Sequence, residues 1–295
     1  MARRKVDGVL LLDKPPGITS NQALQRAKRL FNADKAGHTG TLDPFATGLL
    51  PLCFGEATKF SQFLLNADKT YLAEIRLGIR TSTADPEGEI IQTCPVEVDE
   101  SAVKAVLPGF MGTISQVPPM HSALKRDGRP LYEYARKGIE LEREPRLVQV
   151  HRLDYLGLSN EVLTLRVECG KGLYVRTLAE DIGARLGCGA HLQSLRREAV
   201  GAFTLATAHP LSELEPLDQA ALDARLNPAD SLIQNLDRLD LDLESTWQVS
   251  HGQAVWRAGL RVGELLRIYG PDGAFLGVAE VDIEGKVAPR RLLAN

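Results

Sequence analysis

Two segments of the chain alternate with a period of two residues, and that alternation commits the fold to a sheet with a dry face. In Thr70 to Leu77, the residues Tyr71, Ala73, Ile75 and Leu77 share one face, while Thr70, Glu74 and Arg76 share the other. In Leu163 to Cys169, the residues Leu163, Leu165, Val167 and Cys169 alternate with Thr164, Arg166 and Glu168. Successive strand side chains point to opposite faces, so each segment needs an apolar layer on one side. Gly8 to Asp13 reads as a buried strand stopped by Lys14-Pro15-Pro16-Gly17. Helical stripes supply the covering layer. Thr19 and Gln22 have capping-box spacing, ahead of a stripe of Ala23, Leu24, Ala27, Leu30 and Phe31. A second helix carries Val175, Leu178, Ala179, Ile182 and Leu186, with Gly187 at its end. Shorter helices are predicted over Glu56 to Leu65, over Ser101 to Leu107 behind Asp99, from Pro130 to Gly138, and around Leu217 to Leu226. From about Asp240 the chain turns to short strands, with turns at Pro271-Asp-Gly273 and Glu284-Gly285, which predicts a small separate β module. Strands and helices mix without a regular βαβ rhythm. The expected class is α+β, with a mixed, largely antiparallel sheet flanked by helices.

Composition narrows the setting. The chain has 295 residues, 44% of them hydrophobic and 25% charged, which is ordinary for a globular protein. No apolar run approaches the roughly 18 residues of a membrane helix. The basic start leads only into Val9 to Leu12, too short for the apolar region of a signal peptide. The expectation is a cytoplasmic protein with no membrane partner. Cys53, Cys94, Cys169 and Cys188 are too far apart in sequence for a metal knuckle or a redox pair, and buried free thiols are expected. The net charge of −3 excludes a global basic field for nucleic acid. Residues 1–210 nonetheless hold 27 Lys and Arg against 24 Asp and Glu, while residues 211–295 hold 8 against 14. A nucleic-acid face would be a local patch in the first two-thirds.

Residues 34–51 are unlike an ordinary element. They combine three glycines and two prolines without a sustained period, as functional loops often do. Asp43 lies there in Gly40-Thr-Leu-Asp43-Pro44. It is either a turn residue capping nearby N–H groups or a carboxylate presented to a ligand by a stiff, glycine-opened loop. His38, five residues earlier, has no second cluster with which to complete a metal set. It is either structural or a contact to a bound base. Tyr71 faces the apolar side of its strand, as a core aromatic or as a ring that stacks on a base. The turn Gly170-Lys171-Gly172 leads into a helix start that would present Tyr174 and Arg176 beside free N–H groups. No phosphate loop, dinucleotide site or serine nucleophile elbow is present in the sequence, and no cofactor is expected.

Several ordered motifs carry a resemblance. They are Gly8-Val-Leu-Leu-Leu-Asp-Lys-Pro15, Ala36-Gly-His-Thr-Gly-Thr-Leu-Asp-Pro-Phe-Ala-Thr-Gly48, Gly55-Glu-Ala-Thr-Lys-Phe60, Lys171-Gly-Leu-Tyr-Val-Arg-Thr177, Gly187-Cys-Gly-Ala-His191, Leu195-Arg-Arg197 and Val287-Ala-Pro-Arg-Arg291. Over nearly its full length the chain resembles the bacterial tRNA pseudouridine-55 synthases, the TruB family. Thr41 stands where some members carry Ala. The resemblance implies a pseudouridine-synthase catalytic domain over residues 1–235 and a PUA-like RNA-binding barrel over residues 236–295. It implies that Asp43 is the catalytic aspartate, Arg176 its ion-pair partner and Tyr71 the residue stacked on the target base. Tyr174 and Leu195 become pocket contacts, His38 a support for the disrupted T loop, and Lys14 and Lys171 further substrate-binding residues. The partner implied is the T stem-loop of tRNA, without guide RNA or obligate protein partner.

The chemistry suits these residues. Isomerising uridine breaks the N1–C1′ bond, turns the uracil and joins C5 to C1′, with no net redox change. One carboxylate can attack the base, attack the sugar, or remove a proton at C2′. Desolvation raises its pKa and a guanidinium opposes that rise. The nucleotide must leave the stack to be reached. Lys125, Arg126, Arg129, Lys171, Arg196 and Arg197 are candidates for contacts to the RNA backbone. Two other readings share the motifs: an RNA-binding or tRNA-folding protein without catalysis, and a guide-dependent synthase resembling the dyskerin group.

Overall fold

The computed structural model describes residues 2–294. In chain order the first elements are β1 (Gly8–Lys14), α1 (Ser20–Leu30), β2 (Ala36–His38), β3 (Thr47–Phe54), α2 (Ser61–Asn66) and β4 (Lys69–Leu77). A hairpin of β5 (Ile79–Thr81) and β6 (Ile90–Thr93) follows, then α3 (Glu100–Val106) and β7 (Gly112–Gln116). A small hairpin, β8 (Lys125–Arg126) and β9 (Arg129–Pro130), leads into α4 (Leu131–Ala135). Next come the long pair β10 (Arg146–Ser159) and β11 (Val162–Cys169), then α5 (Val175–Arg185) and β12 (Ala190–Val200). After β13 (Phe203–Thr204), β14 (His209–Pro210), α6 (Leu211–Leu214) and α7 (Gln219–Asp223), the chain closes with β15 (Asp237–Asp240), α8 (Leu243–Ser250), β16 (Val255–Trp256), β17 (Leu265–Tyr269), β18 (Phe275–Val281) and β19 (Lys286–Leu292).

Ten strands make one mixed sheet, in the order β14-β1-β3-β12-β4-β11-β10-β7, with β2 on β3 and β13 on β12. Only the β1–β14 and β3–β12 pairings are parallel. The class is α+β, as the alternating segments require. On β11, Leu163, Leu165, Val167 and Cys169 are buried, and they pack with Ala73, Ile75 and Leu77 of β4 beneath Leu178, Ala179 and Ile182 of α5. A second layer, Ala23, Leu24, Ala27 and Phe31 of α1, packs on Leu10, Leu12, Leu50 and Leu52. The Thr19 capping box forms: the Gln22 N–H donates to Thr19 Oγ1 at 3.1 Å and the Thr19 N–H donates to Gln22 Oε1 at 2.8 Å. Asp99 caps α3, accepting from the Ala102 N–H at 2.8 Å.

Three expectations change. The irregular stretch 34–51 contains β2 and the start of β3. From Gly48 onward β3 is buried on both faces, so it reads as a plain apolar run without alternation. The helix expected over Glu56 to Leu65 divides into a 3₁₀ turn, Gly55–Phe60, and α2, because Phe60 leaves helical geometry with φ −106° and ψ 1°. The helix expected around Leu217 to Leu226 is only α7. Cys53, Cys169 and Cys188 are buried free thiols, while Cys94 is half-buried.

The β module expected from Asp240 onward forms a five-stranded sheet in the order β15-β17-β18-β19-β16. Its own core is Leu241, Val249, Val255, Leu266, Ile268, Ala279, Val281 and Val287. It packs on the larger sheet's underside. Phe275 meets Phe60 with ring centroids 5.4 Å apart, Lys59 donates to the Leu292 carbonyl at 2.8 Å, and the Tyr269 hydroxyl donates to Asp230 at 2.6 Å. Among the described residues no helix is long and apolar enough to cross a membrane.

Candidate active site

The site forms where the loop between β2 and β3 meets the first turn of α5. Asp43 lies in that loop, and backbone contacts on both sides of it hold it in place. The Ser20 hydroxyl donates to the Leu42 carbonyl at 3.0 Å and accepts from the Leu42 N–H at 2.8 Å. Beyond Asp43, the Pro44 carbonyl accepts from the Gly17 N–H at 2.9 Å and from the Lys14 ammonium at 3.1 Å. The turn Lys14-Pro15-Pro16-Gly17 therefore serves as the seat of the loop as well as the end of β1.

Arg176 enters from the other side. The Gln116 amide brackets the residue before α5, accepting from the Tyr174 N–H at 2.8 Å and donating to the Tyr174 carbonyl at 3.1 Å. That clamp fixes the helix start and aims the Arg176 side chain, only 5% exposed, at Asp43. Arg176 Nε lies 3.0 Å from Asp43 Oδ2 and Nη2 donates to Oδ1 at 3.3 Å, an ion pair in which one edge of the guanidinium faces the carboxylate and one hydrogen bond forms. The same guanidinium donates to Asp85 Oδ2 at 3.2 Å and to the His121 carbonyl at 2.7 Å. The Asp43 carboxylate keeps 31% of its surface open, whereas Asp85 keeps 3%. One acid thus faces the solvent-accessible side and the other is sealed behind the guanidinium.

Burial is the largest influence on Asp43 and lifts its pKa above the ordinary carboxylate value; Asp85 adds to the rise, while Arg176 and Lys14 oppose it. Glu87 is raised by burial and by the charges of Asp85 and Asp43. Lys14 is pushed down to about 8 by burial, against the pull of Asp43 and Glu87. Burial lowers His38, with Arg197 acting in the same direction, and its Nδ1 is buried without a partner. Among the described residues no group of three or more His, Cys, Asp or Glu is placed to hold a metal ion.

The expected residues are distributed unevenly. Asp43 and Arg176 meet directly. Tyr71 sits on β4, half-buried, with Arg197 of β12 directly opposite. Leu195, 8% exposed, lies opposite Ala73 in the same pairing. Tyr174 is half-buried at the N-cap of α5, with its hydroxyl beside Ser122. Lys171 is exposed and donates to Asn66 at 3.1 Å. Lys14 departs from its expected role. It is wholly buried, and its ammonium donates to the carbonyls of Pro15, Ile18 and Pro44, so its three N–H groups are used inside the protein. One of the cations expected at the RNA backbone also turns inward: Arg197 is 1% exposed, whereas Arg196 stays partly exposed and pairs with Asp13 at 2.6 Å. Lys125, Arg126 and Arg129 do lie exposed on the β8–β9 hairpin. Asp85, Gln116 and Ser20 were missed from the sequence. Asp85-Pro-Glu-Gly88 reads as a polar turn, and nothing local distinguishes an acid that meets a guanidinium in the fold.

Comparison with known proteins fits this geometry. The fold is shared with solved structures described as a Cbf5-Nop10-Gar1 complex (27% identity, TM-score 0.72, covering 98% of this chain and 84% of that one) and as an H/ACA RNP bound to a substrate RNA containing 2′-deoxyuridine (25%, 0.72, 98% and 85%). The fold is therefore one found in an assembly that holds a substrate RNA. Residues 28–175 match the model of the TruB family pseudouridylate synthase N-terminal domain, residues 176–234 the tRNA pseudouridylate synthase B C-terminal domain, and residues 238–293 the pseudouridine synthase II TruB C-terminal domain. Proteins named tRNA pseudouridine synthase B from Methylobacillus flagellatus (52% identical, covering 99% of this chain and 96% of that one) and Thiobacillus denitrificans (55%, 100% and 98%) align end to end. The chain belongs to the TruB family of pseudouridine synthases.

Proposed function

We propose that the chain isomerises uridine to pseudouridine at position 55 of tRNA, in the T loop, with Asp43 as the catalytic carboxylate. The observation that carries this reading is the partly open Asp43 carboxylate paired with a buried Arg176 guanidinium, in a chain of this family. The N1–C1′ bond breaks, C5 bonds to C1′, the C5 proton is lost and N1 gains one, so the reaction balances without an external reactant. A stacked nucleotide cannot reach the carboxylate, and the target uridine flips out at a cost of a few kcal/mol. Stacking on Tyr71 returns about 1–3 kcal/mol. Tyr174 and Leu195 line the base pocket, His38 supports the opened loop, and Lys171 meets the RNA backbone. Residues 1–235 act as the catalytic domain and residues 236–295 as the RNA-binding one, in the cytoplasm where tRNA is processed.

The relatives' name supports a stand-alone enzyme, while the likeness to a Cbf5 assembly favours, as a second reading, one that works with partners. One experiment addresses both. Purified protein is incubated with an unmodified T-arm transcript, and pseudouridine is mapped by position. Formation at the T-loop uridine without any partner is the expected result. Failure with folded protein and competent RNA removes the stand-alone reading. An Asp43→Asn protein that still forms pseudouridine removes the assignment of the carboxylate.

A further inference from the structure

Arg197 occupies a position that the ion-pair chemistry of the site does not explain. Its side chain is among the largest that are fully buried. No carboxylate accompanies it among the described residues. The groups around it are the Leu49 carbonyl, to which Nε donates at 2.7 Å, the Gly40 carbonyl, to which Nη2 donates at 3.2 Å, and Tyr71, its partner across the strand pair, whose phenol couples to its charge. A buried cation without a counter-charge is costly, and it persists only where its hydrogen bonds hold something in place.

The sheet explains how these groups come together. Arg197 faces Tyr71 across the antiparallel β4–β12 pair and Gly48 across the parallel β3–β12 pair. Its guanidinium therefore bridges three structures: the strand bearing Tyr71, the body of β3, and the loop that carries Asp43 three residues beyond Gly40. A guanidinium has donors only, so a hydrogen bond from Arg197 to Tyr71 takes the phenol oxygen as acceptor. That leaves the phenol O–H free to donate elsewhere.

We propose that Arg197 is a positioning residue for the uridine isomerisation: it sets the Tyr71 ring at a fixed distance from the Asp43 loop and turns the Tyr71 O–H toward the bound base. The inference rests on the function proposed above, and it goes beyond that function's ion pair. Arg197 touches neither RNA nor the reacting atoms; it acts through Tyr71. Its charge lowers the phenol pKa against the larger rise due to burial, so removing the fork also changes the proton equilibrium of Tyr71.

The test is a double-mutant cycle read by single-turnover pseudouridine formation on saturating T-arm RNA, with RNA affinity measured separately. Arg197→Lys keeps the charge and removes the planar fork. The expected result is a rate loss of about tenfold or more, an affinity change within about twofold, and a loss below about threefold when the same substitution is made in the Tyr71→Phe background. Equal losses in both backgrounds overturn the proposal, as does a loss confined to RNA affinity. Arg197→Gln replaces the lysine variant if the latter does not fold. A second readout needs no turnover. In protein labelled with ¹³C at tyrosine Cζ, the resonance that Tyr71→Phe deletes should shift in the Arg197 variant. An unmoved Tyr71 signal sinks the proposal even if the enzyme is active. A wild-type protein that forms no pseudouridine but shows the shift sinks only the function on which the proposal rests.

Discussion

Arg176 holds three acceptors with one planar group, and each depends on the direction of an N–H bond. A lysine at this position keeps the charge but offers a single point from which to reach Asp43, Asp85 and the His121 carbonyl. Losing one charge-assisted hydrogen bond at a buried site costs about 1.5–3 kcal/mol. Arg176→Lys should therefore lower single-turnover pseudouridine formation by about 10–100-fold with little change in RNA affinity; a near wild-type rate would show that the fork is dispensable. The acids around the guanidinium also set the pH response. The proposed chemistry needs ionised Asp43, and Asp43 is raised, so the rate should fall on the acid side above the ordinary carboxylate range. Asp85 is one of the charges that raises Asp43, so Asp85→Asn should move that limb to lower pH. Lys14 lowers it, so Lys14→Met should move the limb up. A pH–rate profile of each variant checks both signs. At this scale the sequence was half readable. Asp43 and Arg176 emerged from motifs that resemble the family. Asp85 was hidden in a turn-like tetrapeptide, and Lys14 and Arg197 were taken for substrate or phosphate contacts because nothing local indicates that a cation turns inward.

At the level of elements, alternation and capping were readable because they are local rules. β4, β11, α1, α3 and α5 fall where period and caps place them. β3 was not legible, since a strand buried on both faces has no polar beat, and its start lies in a glycine- and proline-rich stretch. The join between β3 and β12 depends on one glycine. Gly48 has φ +103°, and a Cβ there would stand 2.3 Å from the Arg197 carbonyl oxygen and 2.7 Å from its nitrogen. Both atoms are backbone and neither can yield cheaply. Gly48→Ala should destabilise the protein by about 2 kcal/mol or more in urea unfolding, through combined strain and clash. A stability within about 0.5 kcal/mol of wild type would mean that the two strands part without penalty.

For the whole molecule, charge and order of assembly matter most. The net charge is −3, and the excess of acid lies in residues 211–295. The proposed function needs local cations to meet RNA, and the exposed hairpin bearing Lys125, Arg126 and Arg129 is one place where the fold presents them. Changing all three to Glu should weaken T-arm binding, flatten its dependence on salt and leave the saturated single-turnover rate unchanged. An unchanged salt slope would remove the hairpin from the interface. Fold class and the separate C-terminal sheet were readable from strand spacing and turns, whereas the contacts that dock that sheet, Phe60 on Phe275 and Lys59 on the Leu292 carbonyl, join residues too distant in sequence for any pattern to reveal.

The Asp43–Arg176 pair links positions 133 residues apart. On a ribosome adding about 5–20 residues per second, the carboxylate emerges roughly 7–27 s before its guanidinium has been made. During that interval the nascent acid loop has Lys14 near it but not the guanidinium that pairs with it. On the proposed chemistry, competence thus arrives late in synthesis, and a chain released before α5 would hold Asp43 without its guanidinium.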